Sequence, residues 1–180
     1  ETKYPQIIIN VDPSNIYIAD SLWVLNGTTV KVDSTSFKFD DLSLTCFDQR
    51  LRLDGNISHN PTSTAYLTTQ NVDLSLFGPF IGNSIDGRLD GKASLTDAFN
   101  KFIVDFDLKV RDFSAGTSIF GDLNVKCKWN PNSEKLLTNL SLTDKSLVIA
   151  KGNGYIDLNR LTADMKLNFD NSPISLIGVL

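Results

Sequence analysis

Histidine is nearly absent from this chain. The one histidine, His59, lies in the turn-forming stretch Ser58-His59-Asn60-Pro61. It reads as a surface-loop residue, which argues against a Ser-His-Asp triad or a zinc site built on histidines. Methionine is as scarce. Met165 is the only one and the chain opens on Glu1, which reads as an excised piece of a longer protein. The two cysteines, Cys46 and Cys127, both fall at apolar-face positions of expected strands. Buried free thiols are the main reading. A long-range disulfide stays open, because sequence does not supply the geometry. No apolar run approaches the roughly 20 residues that a membrane-spanning helix needs. Basic residues number 17 against 21 acidic ones, for a net charge of −4, and they are scattered singly. Nucleic-acid binding wants a basic stripe, so none is expected.

What the chain does have is alternation. Hydrophobic residues make up 41% of it, enough for a folded core, and they recur at every second position. Phe102, Val104, Phe106, Leu108 and Val110 interleave with Asp105, Asp107, Lys109 and Arg111. Leu123, Val125, Cys127 and Trp129 do the same against Asn124, Lys126 and Lys128. So do Ala163, Met165, Leu167 and Phe169 against Asp164, Lys166, Asn168 and Asp170. Successive side chains on a strand point to opposite faces, so this pattern predicts an antiparallel sheet with one dry and one wet side.

Turn signals punctuate it at Asp12-Pro13-Ser14, Asn26-Gly27, Asp40-Asp41, Asn60-Pro61, Asn83-Ser84, Asn130-Pro131-Asn132 and Asn171-Ser172-Pro173. Hairpins and meanders of strands about five to ten residues long follow from them. Thr96–Lys101 and Leu74–Ile81 each have room for one helical turn. The chain also repeats itself. Trp23, Leu42/Leu44, Leu51/Leu53 and Gly55-Asn56-Ile57 are echoed by Trp129, Leu140/Leu142, Leu147/Ile149 and Gly154-Tyr155-Ile156. No linker is visible, so residues 1–180 read as a single repeat-built β segment growing along one axis.

Chemistry-bearing constellations are wanting. Gly87-Arg88-Leu89-Asp90-Gly91-Lys92-Ala93 echoes a phosphate loop, but it is one residue short, ends in Ala where a hydroxyl is needed, and has no helix to follow. Asp105 and Asp107 share a face with Lys109 and Arg111 and read as a solvated charge ladder. Trp129 has the parity of the dry side and reads as a core anchor, whereas Trp23 is harder to orient. No enzyme activity, cofactor or metal is expected.

Some stretches go beyond generic β. They are Leu51-Arg52-Leu53-Asp54-Gly55-Asn56-Ile57-Ser58, Asn71-Val72-Asp73-Leu74-Ser75-Leu76, Ile85 through Leu95, Val110-Arg111-Asp112-Phe113, Gly121-Asp122-Leu123-Asn124-Val125 and Ala150-Lys151-Gly152-Asn153-Gly154-Tyr155-Ile156. In order and spacing this resembles the TamB family of translocation and assembly proteins, within the AsmA-like group of the Gram-negative envelope. The Ser/Asn/Asp-rich style resembles a Bacteroidetes-type member. The resemblance implies a long periplasmic protein anchored at the inner membrane, whose body is a curled antiparallel sheet, a β-taco, with an apolar groove. It implies phospholipid acyl chains as cargo, outer-membrane protein assembly as a role, and an Omp85-type, TamA-like outer-membrane partner for the full-length protein. On that reading Phe102, Val104, Phe106, Leu108, Val110, Leu123, Val125, Trp129, Ile156, Met165, Leu167 and Phe169 line the groove. The competing expectation is a closed β-sandwich binding or adhesion module of a cell-surface protein, its two dry faces packed together.

Overall fold

Backbone N–H and C=O groups must be paired wherever water is excluded, and an alternating chain meets that need by lying against its neighbours. The computed structural model describes residues 5–78, 84–145 and 147–170. Among these the chain is all-β. Its strands are β1 (Ile7–Val11), β2 (Ser14–Ile18), β3 (Ser21–Leu25), β4 (Thr28–Val32), β5 (Ser36–Cys46), β6 (Gln49–Ser58), β7 (Thr64–Asp73), β8 (Ile85–Thr96), β9 (Ile103–Ala115), β10 (Ser118–Asn130), β11 (Lys135–Asp144), β12 (Leu147–Asp157) and β13 (Thr162–Phe169). They form one antiparallel sheet of 13 strands that does not close. The order is β1-β4-β5 and then strictly sequential to β13, with the β2–β3 hairpin joined through β3 to β5. No helix among the described residues is long and apolar enough to cross a membrane.

Most expected turns fall between strands. Asp12-Pro13 separates β1 from β2, Asn26-Gly27 separates β3 from β4, and Asn60-Pro61 and Pro131-Asn132 close two later hairpins. Asn83 and Asn171-Ser172-Pro173 lie outside the described residues. Of the two places with room for a helical turn, Leu74–Phe77 is a short 3-10 helix capped by Asp73. Burial pushes the Asp73 carboxyl up, but the Ser75 hydroxyl and N–H and the Arg88 guanidinium, 3.5 Å away, outweigh it and hold it below its ordinary value. The other is a tight turn in which the Asp97 carbonyl accepts from the N–H groups of Asn100, Lys101 and Phe102.

Two expectations need correction. Five of the strands, β5, β8, β9, β10 and β12, run longer than ten residues, with β9 and β10 reaching 13 each, while the others keep to five to ten. Asp40-Asp41 is no turn but a bulge inside β5, where the register slips between Phe39/Gly55 and Leu42/Leu53. One cause explains both. A bulge accommodates a residue that prefers the left-handed region without ending the strand. Asp41 has φ 54°, and its N–H is held by the Asp54 side chain at 3.2 Å. The same device recurs in the β9–β10 pair. Asp112 has φ 52° and its N–H donates to Asp122, also at 3.2 Å. In each case a glycine with positive φ sits across from a phenylalanine, Gly55 (φ 110°) from Phe39 and Gly121 (φ 88°) from Phe113. Glycine carries the backbone through a region closed to other residues, and the space a Cβ would need is taken by the backbone at Thr64 for Gly55 and at Thr143 for Gly121.

The chain forms two compact units. One takes the chain as far as Val72 and adds Lys92–Val104; the other takes Asp73–Gly91 and the chain from Asp105 onward. Strands β8 and β9 therefore contribute to both. In the first unit β5 is shared between partners, its Phe37 and Phe39 pairing with β4 and its Leu44 and Thr45 with β3. Trp23, Cys46, Ala65 and Val72 are buried there, with Trp23 and Val72 at 0% exposure. The register Leu25↔Leu44 settles the orientation of Trp23, which shares the apolar side of β3 with Leu25.

Candidate functional site

Cross-strand partners in an antiparallel sheet point to the same side, so the register of β9 to β13 shows which residues share a face. Four rungs cross the second unit. They are Phe106–Cys127–Thr138–Gly154–Met165, Leu108–Val125–Leu140–Gly152–Leu167, Val110–Leu123–Leu142–Ala150–Phe169 and Trp129–Leu136–Ile156–Ala163. Ten of the twelve expected residues lie in them. Val104 keeps the parity of Phe106 within β9, although it belongs to the first unit. Phe102 departs from the expectation. It precedes β9, has φ 50° and is 52% exposed, because the Asp97 carbonyl gathers its N–H into the preceding turn. Strand alternation therefore does not set its direction.

Four further members of the face, Thr138, Ala150, Gly152 and Gly154, escaped the sequence reading, being small or polar where large apolar residues were sought. A dry face tolerates Thr138 because its hydroxyl is satisfied locally. It lies 3.3 Å from the Cys127 sulfur and donates to the Leu136 carbonyl. Burial pushes the Cys127 thiol above its ordinary value, with Thr138 offsetting part of the effect. Both cysteines are free and buried. Burial across the face is graded. Val110, Cys127, Leu136 and Ala150 are buried, Leu123, Val125, Leu140 and Leu142 are half-buried, and Leu167 and Phe169 on β13 are 42% and 43% exposed. The indole N–H of Trp129 is buried and meets no hydrogen-bond partner among the described residues, and the same holds for Trp23 in the first unit.

The opposite face carries the charges. Lys126 pairs with Asp107 at 2.8 Å, Lys109 with Asp122 at 3.7 Å and Arg111 with Asp90 at 3.1 Å. Asp105 turns back to the backbone and accepts from the Trp129 N–H at 2.6 Å. Exposed pairs of this kind add solubility more than stability. A concavity of about 480 Å³ opens over β10 to β13, with Lys126 at its rim and Leu140 and Gly152 among its lining residues. In the first unit, His59 stacks on Phe99 with ring centroids 4.5 Å apart. No protein-family model, curated protein or solved structure matches the chain.

Proposed function

We propose that this chain is a periplasmic segment of a TamB-like envelope protein anchored at the inner membrane, and that its apolar face guides phospholipid acyl chains without chemistry of its own. The supporting observation is the set of four rungs, a face that is apolar across five strands yet only part-buried in its middle and exposed at β13. Acyl chains require such a surface. They are held by burial, worth roughly 0.8 kcal/mol per methylene, and need no directional partner. Small residues along the β12 positions, Ala150, Gly152 and Gly154, keep that strand low between its neighbours. In the full-length protein the segment acts in lipid transport or outer-membrane protein assembly with an Omp85-type, TamA-like partner.

The test is site-specific photo-crosslinking in the full-length protein in its envelope. A photoreactive residue at Val125 or Leu140 is expected to capture phospholipid, and one at Lys126 or Asn139, on the opposite face, is not. Phe106→Asp, at a half-buried position, is expected to leave the segment folded while removing envelope-barrier function. Lipid capture from neither face, or unfolding of the segment by Phe106→Asp, would overturn the proposal, since an unpaired charge is that destructive only in a closed core.

A further inference from the structure

The concavity on the polar face is not accounted for by a lipid path, because it lies on the side away from the apolar rungs. Its walls are two adjacent polar rungs. In one, Asn139 and Asn153 stand directly opposite each other; in the next, Asn124, Ser141, Lys151 and Asn168 follow in order across β10, β11, β12 and β13. None of these six side chains makes a hydrogen bond or ion pair with another described residue. Four of them are exposed and Asn124 and Ser141 half-buried, so their donors and acceptors are open to water around one hollow, where a ligand of matching pattern can replace it.

The chemistry of that ligand follows from the groups. Each amide offers a donor and an acceptor, and the serine hydroxyl offers both. A simple anion has only acceptors and would leave the amide oxygens unmatched. A polyol matches both. Side chains about 5 Å apart across strands and about 7 Å apart along them stand at a spacing comparable to one sugar ring. The next rung carries Leu137, 41% exposed, an apolar flank for the C–H faces of such a ring, while the Tyr155 ring opposite it is taken by the Lys135 ammonium, 3.6 Å from its centroid. Charge adds one more requirement. The Lys126 ammonium at the rim is already paired with Asp107, while Lys151 has no carboxylate partner among the described residues. We infer that this hollow on β10–β13 binds a saccharide bearing a carboxylate, with the asparagine amides reading its hydroxyls and Lys151 its charge. The inference stands apart from the lipid proposal, since it uses the other face.

The experiment titrates the whole chain with tetragalacturonate, cellotetraose and inorganic phosphate, following the asparagine side-chain amides by isotope-edited NMR. Tetragalacturonate is expected to give saturable shifts in the Asn139 and Asn153 amides, cellotetraose weaker ones, and phosphate none. The double variant Asn139→Ala, Asn153→Ala is expected to lose about tenfold or more in affinity, the loss of two or more hydrogen bonds. Lys151→Gln is expected to abolish the preference for the acidic over the neutral sugar. Thermal unfolding of both variants is expected to match the parent, since the side chains have no structural partners. The inference is overturned if neither sugar gives saturable shifts, if phosphate binds the same amides as tightly as the acidic sugar, or if binding survives the double asparagine variant. Equal affinity for both sugars would overturn the carboxylate requirement.

Discussion

In the first unit, which carries the bulge at Asp40–Asp41, solvent does not reach Trp23 or Val72 at all. In the second, the same bulge at Arg111–Asp112 borders a face whose middle is half-buried and whose last strand is open. The backbone device is shared down to the aspartate that holds the left-handed N–H. The packing around it is not. The difference teaches that this sequence repeats its backbone irregularities more faithfully than its core. One unit is anchored by a fully enclosed tryptophan, whereas the other spreads its apolar surface over rungs that are never fully covered.

The largest expected effect tests that anchor. Trp23→Ala is expected to cost about 3–5 kcal/mol in chemical denaturation, the range for emptying a fully enclosed aromatic site. Trp129→Ala, at a half-buried position, is expected to cost clearly less, and equal costs would erase the contrast between the units. A finer probe adds one hydroxyl without changing shape. Val72→Thr is expected to cost about 1–3 kcal/mol, because the new group meets no water. Val125→Thr is expected to cost well under that, because its position is part-exposed; a full penalty there would mean the rungs are covered.

Smaller again are the two bulges. Asp54→Ala and Asp122→Ala each remove the acceptor of a left-handed N–H and are expected to cost about 1 kcal/mol apiece. Amide exchange should rise at Asp41 in the first variant and at Asp112 in the second. The two costs should be alike, since Asp54 also lies 3.7 Å from Arg52 and Asp122 3.7 Å from Lys109. If only one variant raised exchange, the two bulges would not be one device.

The smallest effect depends on pH and is read in the first unit. The Asp33 carboxylate accepts from the Thr35 N–H and from the Ser36 and Thr35 hydroxyls, and these bonds hold it below its ordinary 3.8. A lowered folded value means the unfolded chain binds the proton more readily. Its stabilising contribution is therefore complete above 3.8 and fades as pH falls through the lower, folded value. The stability gap between the parent and Asp33→Asn is expected to close over that acid window. A gap that widened there would reverse the assignment.

Much of this was legible in the sequence, and the reasons for the rest are physical. Alternation told which side each residue takes, and short hairpins then fixed the register, so the rungs through Val125 and Leu167 could be foreseen. Periodicity is blind to what a face meets, so it gave no hint of two units or of graded burial. Asp40-Asp41 looked like a turn because aspartate favours the left-handed region in turns and bulges alike; only Arg52 and Asp54 on the neighbouring strand decide between them. Phe102 fitted the alternation by spacing, yet Asp97 draws its backbone out of the strand. The asparagines of the polar face read as ordinary solvated residues, since neither their alignment across four strands nor their want of partners is visible along one chain.

From β5 to β13 every strand pairs with the one made just before it. A chain emerging from its N-terminal end, from a ribosome or through a narrow pore, thus hands each new strand a finished template. Non-local pairing is what slows most β proteins and exposes them to aggregation. Here the wait for a partner never exceeds one hairpin. Growth of this kind leaves one advancing edge at each moment, and the apolar side of that edge is the new surface a chaperone would have to cover.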